Sequence, residues 1–95
     1  MKKLDITEKL SFEGRPILKV KDLEIEVNND AINVLSIMEL MDANVSSKDM
    51  ADAAKLLFGE EGYKKIKKLK LNFADFSVLL NHAMDLATGE SSTGE

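Results

Sequence analysis

The sequence predicts a predominantly helical α+β domain, in which an N-terminal antiparallel β-hairpin, or a three-stranded meander, packs on about four α-helices. Three observations lead there. Apolar and polar residues alternate between Leu10 and Val27; from Asn29 onward the apolar residues recur every three or four positions; and capping residues or glycines stand at the ends of the helical stretches. With 95 residues, 44% of them hydrophobic and 32% charged, the chain suits one compact domain over residues 1–89. A domain of this size buries roughly 60–65% of the surface that its unfolded form exposes.

The strand reading is clearest in ILKVKDLEIEV, residues 17 to 27. Leu18, Val20, Leu23, Ile25 and Val27 share one face, while Lys19, Glu24 and Glu26 share the other. With Lys21 and Asp22 as the turn, Val20 stands opposite Leu23, Leu18 opposite Ile25, and Lys19 opposite the oppositely charged Glu24. Leu10 and Phe12 alternate in the same way before Glu13 and Gly14 and offer a third strand, so strands are expected within about 10–27. A hairpin alone is marginal in water and has to lay its apolar face on something.

Four helices are expected to supply that support, over about 29–42, 47–58, 60–70 and 73–88. In the first, the polar residues after Asp30 are Asn33, Ser36 and Glu39, spaced by three, so its polar stripe is narrow and the helix should be mostly enclosed. Asn28 or Asn29 can cap it, and Asp30 suits its positive end. In the second, Ser46 and Asp49 form a capping-box pattern ahead of Met50, Ala53, Ala54 and Leu57, and Gly59 is placed to end it. In the last, Asn72 can cap, Leu71 can staple on Phe76, and Phe76, Leu79, Leu80, Ala83, Leu86 and Ala87 form the inner face up to Gly89. Residues 90–95 hold no apolar side chain and are read as a flexible polar tail.

The third helix carries GYKKIKKLKLNF, with Lys64, Lys65, Lys67, Lys68 and Lys70 in an otherwise acidic chain of net charge −4 and pI near 5.0. Tyr63, Ile66 and Leu69 fall three apart and form an inner face that leaves the lysines outside. Glu60 and Glu61 open the helix and the lysines close it, as the macrodipole favours, and Glu60–Lys64 and Glu61–Lys65 are i, i+4 pairs. Helix physics thus accounts for the run, and the overall negative charge opposes nucleic acid and anionic lipid. The competing reading is a small DNA-binding or regulatory adaptor that uses the basic helix around residues 63–70.

Other chemistry is sparse. The chain has no cysteine, which excludes disulfides and thiolate catalysis. No stretch approaches the roughly 20 apolar residues of a membrane span, and MKKLDITEK lacks the apolar run of a signal peptide. DANVSSKDMADA, from Asp42, echoes a calcium loop, but Ser47 and Ala53 stand where the glycine and the bidentate glutamate belong. His82 has no matched serine or carboxylate and reads as a surface residue. No catalytic residue, metal ligand or cofactor site is expected. Met38, Met41, Met50 and Met84 have two readings, as pliable core filler or as a contact surface for another chain or another copy of this one.

Taken together, LDITEKLSFEGRPILKVKDLEIEVNNDAINVLSIMELM at the front and LKLNFADFSVLLNHAMDLATGE at the back resemble the small tail assembly chaperones of long-tailed bacteriophages and prophages of Gram-positive bacteria. The resemblance runs from about Leu4 to Glu90. It implies a protein that is not an enzyme, that coats the tape measure protein and keeps it soluble, and that helps recruit major tail protein subunits. It also implies work in the host cytoplasm, several copies on one client, and departure before the mature virion. Members of that family are often extended by ribosomal frameshifting, which TGESSTGE would place at the end of the short form.

Overall fold

The computed structural model describes residues 1–89, and the tail expected over 90–95 lies outside them. After a short 3₁₀ turn at Thr7–Lys9 come β1 (Ile17–Val20), β2 (Leu23–Glu26), α1 (Ala31–Leu40), α2 (Ser47–Leu69) and α3 (Phe73–Thr88). The class is α+β and mostly helical, as expected. The hairpin has the expected register, with Leu18 opposite Ile25, Lys19 opposite Glu24 and Val20 opposite Leu23. Lys21 turns the chain with φ +55°. Ile25 and Val27 lose all exposure, and Leu18 and Val20 pack at the edge of the same core.

The third strand does not form. Phe12 sits at φ +54°, which breaks extended backbone, and residues 1–15 are exposed throughout. Nothing there is buried enough to offset the entropy of ordering a strand. That open arm raises the radius of gyration to 15.3 Å, against about 13 Å for a compact domain of 100 residues.

The helices expected over 47–58 and 60–70 run together as one, α2, bent at Gly59. Gly59 has φ 72° and ψ 175°, a region that is essentially closed to residues with a Cβ, so one residue redirects the chain and no loop is needed. The bend leaves the last carbonyls of the first half without helical donors. Leu57 O accepts instead from Asn28 N at 2.8 Å, and Leu56 O from Asn33 Nδ2 at 2.9 Å. The start of α2 is held by the expected capping box between Ser46 and Asp49.

Asn33 explains why α1 is not enclosed. Its amide faces inward to reach the bend, so only Val34 and Ile37 of α1 are buried. Ile32, Leu35 and Met38 are left 75%, 57% and 47% exposed. Nor is the cap at Asn28 or Asn29: Asp30 occupies the N-cap position without a side-chain cap bond, and Asn28 Oδ1 accepts from Asp30 N at 3.2 Å. In α3, Asn72 caps Asp75 N at 2.8 Å as expected, and Leu79, Leu80, Ala83 and Ala87 are buried. Leu86, expected inside, is 37% exposed because it lies at the edge of the inner stripe.

Past the bend, α2 crosses β2 closely. Gly62 is buried, and a Cβ there would lie 2.9 Å from Phe58 Cβ and 3.1 Å from Ile25 Cγ2. Alanine is the better helix former by about 1 kcal/mol, but overpacking of this kind costs about 1–3 kcal/mol. Gly62→Ala is therefore expected to lower the urea midpoint by an amount equivalent to about 1 kcal/mol. A raised midpoint would show that the two segments part easily.

Candidate functional site

The four methionines do not gather in one place. Met38 on α1 and Met41 at its C-cap stand three apart, and Met84 stands four residues after Leu80 on α3, spacings that put each pair on one side of its helix. These helices face each other across a cleft of about 290 Å³ lined by Ile37, Met38, Met41, Leu80 and Met84, with Asp42 and Asn81 at its margin. Met38 is half exposed at the rim, and Met41 and Met84 are half buried against the core. Leu35 and Ile32 do not line the cleft; they precede Met38 at steps of three along α1 and are exposed. Thioether side chains with several rotatable bonds can reshape such a cleft around different apolar guests.

Met50 belongs to a different groove of about 480 Å³. There the first half of α2 supplies Met50, the second half supplies Tyr63 and Ile66, and the start of α3 supplies Phe73 and Phe76. Leu71, the expected partner of Phe76, lines the same groove. Lys67 and Lys70 are its only charged lining residues. The ammonium groups of Lys55 and Lys67 lie 5.5 and 5.3 Å from the centroid of the Tyr63 ring, contacts worth about 0.5–1 kcal/mol each at an exposed site.

The lysine run lies on the outer side of α2, as its spacing predicts. Lys64, Lys67, Lys68 and Lys70 are exposed, while Ile66 is buried and Tyr63 and Leu69 are half buried. Neither Glu60–Lys64 nor Glu61–Lys65 closes to an ion pair. Lys65 Nζ instead donates to the Glu24 carbonyl at 2.8 Å and so covers the outer edge of β2. Pairs that form among the described residues include Lys48–Asp52 at 2.7 Å and the fork of Arg15 to Glu26 at 3.3 Å and Asp30 at 3.7 Å. The hydrogen bond from Lys48 holds the Asp52 carboxyl below the usual range.

His82 is exposed on α3, beside a shallow apolar groove formed by Leu18, Val20, Val78 and Leu79, with Lys19 and Asp75 among its lining. Ser46, Asp49 and Asn72 are committed to helix caps. Among the described residues the surface thus presents an apolar cleft with Met38, Met41 and Met84, a groove with Met50 edged by Lys67 and Lys70, the shallow groove beside His82, and a helix that exposes Ile32, Leu35 and Met38. Sequence reasoning missed Ile32, Leu35 and Phe73, the last 68% exposed. A signal was present in α1, where apolar residues surround a ten-residue helix that has too few neighbours in so small a domain to be covered on every side.

Among the described residues, no helix is long and apolar enough to cross a membrane. Comparison of the chain with models of protein families, with curated proteins and with solved structures finds no match.

Proposed function

We propose that this protein is a non-catalytic tail assembly chaperone of a long-tailed bacteriophage or prophage. It holds segments of the tape measure protein, keeps that client soluble in the host cytoplasm, and assists tail-tube assembly, with the major tail protein as a further partner. The observation that carries the reading is the cleft of Met38, Met41 and Met84, on one side of a helix that also exposes Leu35 and Ile32. A long client with repeating but non-identical apolar faces calls for adaptable contacts of this kind, and net negative charge keeps the complex soluble. The resemblance from Leu4 to Glu90 supplies the identity of the client.

Co-expression with the tape measure protein encoded beside it tests the reading. Wild-type protein is expected to move most of the client from the pellet to the soluble fraction. Met38→Glu, at a position already 47% exposed, is expected to leave the fold intact and return most of the client to the pellet. A client equally insoluble with and without the wild-type protein would refute the proposal. The DNA-binding alternative draws on Lys64, Lys67, Lys68 and Lys70, which stay exposed and without ion pairs. It requires retention on DNA that falls steeply with salt and is lost in Lys64→Ala/Lys68→Ala.

A further inference from the structure

Three apolar depressions of this surface differ in charge. The methionine cleft has Asp42 at its margin, and the shallow groove beside His82 has both Lys19 and Asp75. The groove of about 480 Å³ between the two halves of α2 and the start of α3 has Lys67 and Lys70 and no carboxylate. Neither lysine has an ion pair among the described residues. The Lys67 ammonium stands 5.3 Å from the centre of the Tyr63 ring, which lines the same groove. An exposed ring is a weak partner for a cation compared with a carboxylate, so this charge is free to turn to an anion that enters. Below it the lining is apolar, with Met50, Phe76 and the 68% exposed Phe73.

We propose that this groove binds a small amphiphilic anion, a free fatty acid of about eight to twelve carbons, one to each chain. The acyl chain lies against Met50, Phe73 and Phe76, and the carboxylate meets Lys67 and Lys70. The volume falls within the roughly 300–1,000 Å³ of small-ligand sites, and the pliable Met50 side chain can follow the bends of an alkyl chain. Charge selects this groove over the others, since the Asp42 carboxylate at the methionine cleft repels the same guest. The net charge of −4 does not prevent binding: at physiological ionic strength fields are screened over about 8 Å, so the two lysines at the groove decide. This inference does not depend on the identity of any polypeptide client.

The chain carries its own reporters. Tyr63 is its single tyrosine and there is no tryptophan, so intrinsic emission reads this groove. Met50 lines it, whereas Met38, Met41 and Met84 line the other cleft. Sodium dodecanoate, titrated below its micellar concentration into the full chain labelled with ¹³C-methyl methionine, is expected to change the tyrosine emission saturably at one equivalent. It should shift the Met50 methyl signal and leave those of Met38, Met41 and Met84 in place. Octanoate should bind more weakly, by roughly two- to fourfold for each methylene lost, and dodecyltrimethylammonium should not compete. Lys67→Gln/Lys70→Gln should weaken binding roughly tenfold. Phe73→Ser, which leaves both lysines in place, should also weaken it. Lys2→Gln/Lys3→Gln, the same change of charge on the exposed arm, should not, and thermal melts verify folding throughout. No saturable change, equal shifts at all the methionines, equal binding of the cationic amphiphile, equal losses in the two lysine variants, or association seen only as pelleting with phosphatidylglycerol vesicles overturns the proposal.

Discussion

Leu57→Ala is expected to destabilise the protein by about 2–5 kcal/mol, toward the upper end of that range. Leu57 has no solvent exposure and is among the largest fully buried side chains, with Ile25, Ile37 and Val27. It lies on the one helix that packs against α1, α3 and β2 alike. Ala53 and Ala54, buried on the same helix, have no side-chain length with which to fill the space a truncated leucine would leave, so the cavity persists. A domain of this size has about 5–14 kcal/mol of stability in total, and the loss should be plain in the urea midpoint. Leu56→Ala, one residue earlier and 37% exposed, is the control and should cost well under half as much. If the two variants behave alike, the core is not centred where the burial places it.

How much of this fold was legible in the sequence depends on how local each cause is. The hairpin register was legible because alternation and the Lys19–Glu24 pair lie within ten residues of each other along the chain. The caps at Ser46 and Asn72 were legible because each needs only a backbone N–H three residues on. The exposure of α1 was not. It follows from Asn33 turning inward to a carbonyl at Leu56, a partner 23 residues away that is available only because α2 bends. The narrow polar stripe is present, but the enclosure expected from it fails at Ile32 and Leu35, because Asn33 turns inward while Glu39 stays exposed. The third strand failed for a related reason, since alternation at Leu10 and Phe12 states a preference but cannot supply the surface that would bury it.

The candidate site was legible in kind and not in arrangement. Methionine spacing on a single helix predicts which thioethers share a face, and Met38 with Met41 obeys it. Whether Met50 joins them depends on the direction of α2 relative to α3, which no helical period encodes, and the structure sends Met50 to the other groove. The lysines likewise lie where their period puts them. The partner of Lys65 is tertiary, the Glu24 carbonyl 41 residues away, whereas Lys67 meets the Tyr63 ring four residues back on the same helix.

Gly59→Ala is the second large effect expected, a loss of about 1–3 kcal/mol from backbone strain alone. No atom lies within 4 Å of the position a Cβ would take, so crowding is not the cause. The cause is φ 72° with ψ 175°, which an alanine can relieve only by moving toward helical angles. That relief would straighten α2 and turn the Leu56 and Leu57 carbonyls back to donors within the helix, away from Asn33 and Asn28. The second half of α2 would then swing off β2 and draw Gly62 away from Ile25 and Lys65 from the Glu24 carbonyl. Strain and straightening leave different traces. Under strain, amide exchange weakens evenly across the domain; under straightening, protection falls first at Asn28 N, whose only acceptor is the freed carbonyl of Leu57. The first half of α2 and its cap at Ser46 keep their protection in either case. An alanine variant as stable as the wild type, with Asn28 fully protected, would mean that the bend is imposed by the packing around it and not by the glycine.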